Sequence, residues 1–191
     1  EVQTGIGITG KMWAHQHFCE TNCNLECMSH CKSMEPDIIS FGKKTQCCGI
    51  FAGKRLDEID DHVFKESSRI NSTFGGNLVD MVRFTIYLEI MESENLVDLV
   101  SENGSYLLSS LATLQNEESN VVSNVRGKGL FCAFDLPSIE LRNNLIAKVE
   151  EEGALILGCG HRSIRFRPHL NISKNEIDRA MVMVKSAMSK I

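Results

Sequence analysis

The chain carries no excess of basic residues, no long apolar run and no repeat. Lysine and arginine number 20 against 25 aspartates and glutamates, giving a net charge of -5 over 191 residues. Binding to a phosphate backbone is therefore not expected. The longest apolar runs, such as ALIL at 154–157, are far too short to span a bilayer. No basic stretch followed by an apolar one opens the chain, so nothing in these residues marks secretion. There is also no methionine ahead of EVQTGIGITG, and the opening reads as the middle of something larger.

The hydrophobic fraction of 42% is enough for a sizeable core. The eight cysteines could suggest a disulfide framework. Cys47, Cys48, Cys132 and Cys159, however, lie in apolar or glycine-rich segments, where cysteine reads as a small buried hydrophobe. A reducing, intracellular compartment is expected, cytoplasmic or, as the alternative, the mitochondrial matrix.

The texture divides near residue 95. Before it, IISF (38–41) reads as a short strand running into KKTQCCG, and INSTFGGN (70–77) as a loop. NLVDMVRFTIYLEIM is apolar on nearly every side and predicts a buried helix over 78–91. A second helix is predicted from about Glu94 to Gln115, with Leu96, Val100, Leu107, Leu111 and Leu114 at helical spacing and Gly104 weakening its middle. Beyond Asn116, a glycine turn leads into the strand LFCAFDL, followed by an amphipathic helix ended by Gly153. ALILGCG and SIRFRPHL read as strands around a glycine loop. Ser173 and Glu176 form a capping box at the start of a last helix with Ile177, Met181, Val184 and Met188 on its apolar face. Residues 1–95 are thus expected to be the tail of an α/β domain, and 96–191 a compact α+β unit.

Two motifs fail on inspection. Gly5, Gly7 and Gly10 in GIGITG satisfy G-x-G-x-x-G, but only four residues precede them and no clear helix follows. Met12 stands where a phosphate loop needs Ser or Thr. A flexible glycine loop is the expectation. Cys19, Cys23, Cys27 and Cys31 recur every fourth residue, with His15, His17 and His30 nearby. Such ligands suit zinc, yet four thiolates along one straight helix cannot surround an ion tetrahedrally, so no metal site is assigned. A cysteine-rich metal-binding module stays open as a rival reading.

Two adjacent lysines in PDIISFGKKTQCCGI (36–50) pose the sharper question. Either both ammonium groups are solvated at a turn, or one is held inside and used as an amine. A lysine is a nucleophile only when neutral, a state that burial or a neighbouring cation promotes. Lys43 follows an apolar strand end and Gly42, and Lys44 supplies an adjacent charge. That is a place for a Schiff base with an aldehyde cofactor.

The blocks EVQTGIGITGKMWAHQHF, PDIISFGKKTQCCG, SRINSTFGGNLVDMVRF, VRGKGLFCAFDLPS, LGCG and SIRFRP occur in one order. Together they resemble the C-terminal half of the class III pyridoxal-phosphate-dependent aminotransferases. FGKKTQ and NSTFGGNLVDMVR favour members that act on the terminal amino group of L-lysine, with those acting on 4-aminobutyrate next. The resemblance implies an α/β fold, PLP-dependent transferase fold type I, as a fragment holding the end of the large domain and the small C-terminal domain. It implies a transaminase that uses pyridoxal 5'-phosphate and moves an amino group from an amino acid donor to 2-oxoglutarate.

Carried over residue by residue, Lys43 would bind the cofactor covalently and shuttle a proton. Val2 would pack on the pyridine face, and Gln3 would hydrogen-bond the phenolic oxygen. Thr73 would reach the phosphate of a partner subunit, making the enzyme a homodimer with a shared site. Arg165 would hold the substrate carboxylate, with Arg167 structural, and Asn71 would touch the substrate end. The aspartate that keeps the pyridine nitrogen protonated would stand one residue ahead of Glu1. The family's aromatic stacking residue and main phosphate loop would also lie upstream. Little activity is therefore expected of 1–191 alone, and a non-catalytic remnant is a further reading. His169 stands where relatives carry a second proline, and Cys19–Ser33 reads as an insertion.

Overall fold

The computed structural model describes residues 1–18 and 35–191. The cysteine stripe and the insertion expected at Cys19–Ser33 lie outside the described residues. The described chain forms two compact units, one of Glu1–Ile6 with Lys11–Asn95, the other of Gly7–Gly10 with Leu96–Ile191.

In the first unit, β1 (Ile38–Phe41) and β2 (Gly49–Ala52) form an antiparallel ribbon, Ile38 opposite Ala52 and Phe41 opposite Gly49. The sequence reading found β1 but missed β2, whose three apolar residues are too few to show an alternation. The connection holds a single 3-10 turn, Lys43–Thr45. Phe41 stacks on Phe51 with centroids 4.7 Å apart, and Trp13 meets Phe51 edge-on at 5.9 Å. Helix α1 (Leu78–Ser93) starts at Asn77, whose side chain accepts the Val79 N–H.

The expectation that α1 is buried fails. Only Met91 is buried along it, while Leu78 is 75% and Val82 61% exposed. Apolar residues on nearly every side announce burial, but within its own unit no described element covers most of this surface.

The second unit is built on a four-stranded antiparallel sheet in the order β3-β4-β6-β5. Its strands are β3 (Ser123–Lys128), β4 (Phe131–Asp135), β5 (Leu157–Cys159) and β6 (Ser163–Phe166). Strand β3 was missed because its residues, SNVRGK, are polar and it pairs on one side only. Helices α2 (Leu96–Glu117), α3 (Ile139–Glu151) and α4 (Lys174–Met188) complete it. Leu111, Leu114, Phe134, Leu145, Ile164 and Ile177 form one closed core. The five leucines and valines at helical spacing in α2 are all buried. The capping box forms as expected, Ser173 Oγ accepting from the Glu176 N–H while Glu176 Oε2 accepts from the Ser173 N–H.

Gly104 does more than weaken a helix. A Cβ there would lie 2.2 Å from the carbonyl carbon of Gly129, so the hairpin turn β3–β4 rides directly on the backbone of α2. On its other side, a Cβ on Gly129 would lie 2.5 Å from the carbonyl carbon of Thr9. The Leu130 N–H donates to the Ile8 carbonyl at 3.0 Å, and Ile8 is 1% exposed. The GIGITG segment is therefore a buried, hydrogen-bonded strip from Gly5 to Gly10 and not a flexible loop. Glycine is required where another backbone presses against it, and the sequence pattern does not distinguish that from a mobile turn.

Beneath the sheet edge lies a polar brace. Strand β3 bulges between Ser123 and Arg126, with Asn124 at φ 54°. That turns the Asn124 amide onto Asp135 Oδ2 at 2.8 Å, while Arg126 Nη1 and Ser163 Oγ donate to Asp135 Oδ1 at 2.9 and 2.5 Å. Burial pushes the Asp135 carboxyl up, but these three donors more than offset it and hold its pKa at about 2.

Candidate active site

The two lysines of FGKKTQ part company in space. Lys43 takes φ 56°, a left-handed conformation uncommon for a residue with a side chain. The turn is closed by the Gln46 N–H donating to the Lys43 carbonyl at 2.9 Å, with Gln46 itself at φ 54°. Lys43 is exposed, whereas Gly42 before it is buried. Lys44 is half-buried, and its Nζ donates to the carbonyls of Gly5 at 2.5 Å and Gln3 at 3.3 Å. So the amine held inside belongs to Lys44, and the amine turned outward belongs to Lys43. Thr45, fully buried, donates to the Cys47 carbonyl at 2.5 Å.

Several elements converge on this turn within the first unit. Gln3 is half-buried and comes within reach of it through Lys44, and Val2 beside it is half-buried too. Arg83, in the second turn of α1, donates to Gln46 Oε1 at 2.5 Å and to Asp80 Oδ1 at 3.1 Å. Thr73 and Asn71 lie exposed in the turn that leads to α1, with Phe74 80% exposed. A further group escaped the sequence reading. The Glu1 carboxylate accepts from the backbone N–H groups of Ala14 (2.6 Å) and His15 (2.8 Å), from His15 Nδ1 and from Thr4. Burial raises its pKa, and the hydrogen bonds, led by those of His15 and Ala14, outweigh that and leave it lowered. No spacing rule announces a contact across so irregular a segment.

In the second unit, Arg165 sits in β6, opposite Ala133 on one side and Leu157 on the other. It is half-buried, as is Arg167. Burial first, and then the charge of Arg165, lower the Arg167 pKa. His169 is exposed, its Nδ1 2.8 Å from Asn171 Oδ1.

The cysteines depart from expectation. Among the described cysteines Cys132 alone is buried, and burial pushes its thiol up to about 12. Cys47 and Cys159 are half-buried and Cys48 is exposed. Among the described residues no cluster of three or more His, Cys, Asp or Glu side chains could hold a metal ion, and no helix is long and apolar enough to cross a membrane.

The expectation that the amine held inside is the one used is not met, because the inner amine, Lys44, is tied to two carbonyls, and the exposed Lys43 at its left-handed turn is the one that a cofactor's carbonyl group could reach. The fold is that of the PLP-dependent transferases of fold type I. The class III aminotransferase model matches residues 1–188, and the chain belongs to that family, whose members are pyridoxal-phosphate-dependent transferases. It is 43% identical over 192 residues to the L-lysine-epsilon aminotransferase of Streptomyces clavuligerus, covering all of this chain and 39% of that one. It is 33% identical to the 4-aminobutyrate aminotransferase of Dictyostelium discoideum, over 95% of this chain and 34% of the other. A solved lysine aminotransferase from M. tuberculosis superimposes with a TM-score of 0.87 at 43% identity, over 100% of this chain and 40% of that one. The chain thus spans about two-fifths of the length of these lysine aminotransferases.

Proposed function

We propose that the protein carrying this chain transfers the terminal amino group of L-lysine, or of a similar ω-amino acid, to 2-oxoglutarate. The observation that carries the reading is the divergence of the two lysines. One amine is tied to two carbonyls, which leaves Lys43 as the outward amine for cofactor and proton. The similarity to lysine-epsilon aminotransferases, at higher identity than to the 4-aminobutyrate enzyme, favours lysine as donor. Transfer from 4-aminobutyrate is the second reading.

Pyridoxal phosphate, when bound, supplies an aldehyde that takes up the amine and a ring that accepts the electron pair of the broken C–H bond. Lys43 would hold the cofactor through Nζ, and the same nitrogen, when not so engaged, would be the base that takes up the substrate's proton and hands it on. Gln3 would hydrogen-bond the cofactor's phenolic oxygen, and Val2 would supply an apolar contact for the ring face. Arg165 receives the donor's or acceptor's carboxylate through its two-pronged guanidinium. Asn71 meets the substrate end. Thr73 would hold the phosphate of a second copy's cofactor, which would make the working form a homodimer. The exposed apolar surface of α1, next in sequence to the Thr73 turn, supports burial of this region in an assembly. The cysteines among the described residues are all free, which supports a reducing, cytoplasmic location.

Borohydride reduction of the protein with pyridoxal phosphate, followed by peptide mapping, tests the assignment. The label is expected on Lys43, and a label on Lys44 alone would refute it. Glutamate formation from 2-oxoglutarate with lysine or 4-aminobutyrate then decides the donor.

A further inference from the structure

Resting on the reading of Lys43 as the cofactor lysine, we propose that Lys44 is a positioning residue, its ammonium fastening the Gln3–Gly5 backbone to the turn that carries Lys43. The motif's second lysine has no task in the chemistry just described, yet it makes the long-range contacts. Its Nζ spans 41 and 39 residues of sequence to reach Gln3 and Gly5. Carbonyls drawn out of water need donors, and an ammonium brings three on one flexible stem. Because the donor is charged, each bond is stronger than an amide–amide one.

The surroundings leave little slack on either side of this clamp. On the far side, a Cβ on Gly5 would come 2.7 Å from the Trp13 ring, and the Gly5 N–H donates to the Glu1 carbonyl at 3.0 Å. On the near side, buried Thr45 and the Arg83–Gln46 bond fix the turn beyond Lys44. The left-handed conformations at Lys43 and Gln46 persist only where neighbours over-determine them. Lys44 therefore couples two things that must keep register, the amine on Lys43 and the side chain of Gln3.

The test compares Lys44→Met, Lys44→Arg and Lys44→Gln in the protein as the cell makes it, loaded with pyridoxal phosphate. Readouts are amide exchange of residues 3–7 and the visible circular dichroism of the bound cofactor, which reports its orientation. In Lys44→Met, exchange should quicken about ten- to a hundredfold, the loss expected for charged hydrogen bonds, and the visible band should weaken. Lys44→Arg, which keeps charge and donors, should restore both. Unchanged exchange and an unchanged band in Lys44→Met overturn the proposal, as does an Arg variant displaced as far as the Met one, which would make the role one of packing. If the Met variant does not fold, Lys44→Gln takes its place, with the same two readouts expected to move. Borohydride mapping of the unaltered protein keeps the two claims apart. A label absent from Lys43 sinks the functional reading, whereas a label on Lys43 with unmoved readouts sinks only the clamp.

Discussion

Replacing Gly104 by alanine puts two rules in opposition. In a helix interior alanine is favoured over glycine by about 1 kcal/mol, so propensity alone predicts a more stable protein. The packing predicts the reverse. The new Cβ would stand 2.2 Å from the Gly129 carbonyl carbon, 2.3 Å from its Cα and 2.5 Å from its oxygen. Reaching an ordinary contact of 3.4 Å would need a shift of 1.2 Å, the difference of those two distances. The turn cannot retreat, because the backbone of Ile8 and Thr9 lies behind it and the Leu130–Ile8 bond holds it there. Overpacking of this kind destabilises by roughly 3 kcal/mol at its upper range, and backbone against backbone belongs at that end. Net of the propensity gain, a loss of about 2 kcal/mol is expected. With a urea slope of about 2 kcal/mol per molar, the unfolding midpoint followed by far-ultraviolet circular dichroism should fall by about 1 M. Amide exchange should place the loss in α2 and the β3–β4 hairpin. Gly153→Ala separates the two causes, since nothing lies within 4 Å of a Cβ there but φ is 95°, so its loss would come from backbone strain and should leave protection in the β3–β4 hairpin unchanged. A Gly104→Ala protein as stable as the original, or more so, would refute the description of this contact.

Asp135 supplies a pH dependence. Its pKa is depressed from 3.8 to about 2, so its contribution is complete above about pH 4 and is lost as pH falls toward 2. With Arg126 nearly half exposed and its charge screened by solvent, the gap corresponds to about 1–2 kcal/mol. Amide protection at Phe134 and Ile164 should fall over that window, and Asp135→Asn should flatten the dependence while lowering protection at pH 7. Arg165→Lys, tested in the protein as the cell makes it, should raise KM for the carboxylate-bearing substrate about tenfold or more, because an ammonium cannot form the two-pronged pair. An unchanged KM would remove Arg165 from the substrate site.

Much of the second unit was legible because its elements obey simple periods. The leucines of α2, the capping box at Ser173 and the buried strand around Phe134 each follow from local pattern and chemistry. The misses share a different cause. Strand β3 is polar and recognisable only through the partner it pairs with, and β2 is too short to show a period. Helix α1 reads as buried because it is apolar, but residue type cannot say which molecule or segment covers it. At the candidate site, FGKK drew attention to two adjacent amines without saying which of them turns inward. That is decided by carbonyls some forty residues away, beyond the reach of any spacing rule. The Glu1 and Asp135 networks were invisible for the same reason, since each gathers donors from separate stretches of chain.

The passage of Gly7–Gly10 through the second unit ties early synthesis to late. A ribosome emits these four residues long before the hairpin turn at Gly129 exists to receive them, so this layer must close by a contact more than a hundred residues apart, a slow kind of event. The same thread warns against dissection at residue 95. A recombinant 96–191 would leave the Leu130 amide without its acceptor and a glycine-wide slot open to water. An engineered linker restoring Gly7–Gly10 ahead of Leu96 would be the minimum needed to express that half by itself.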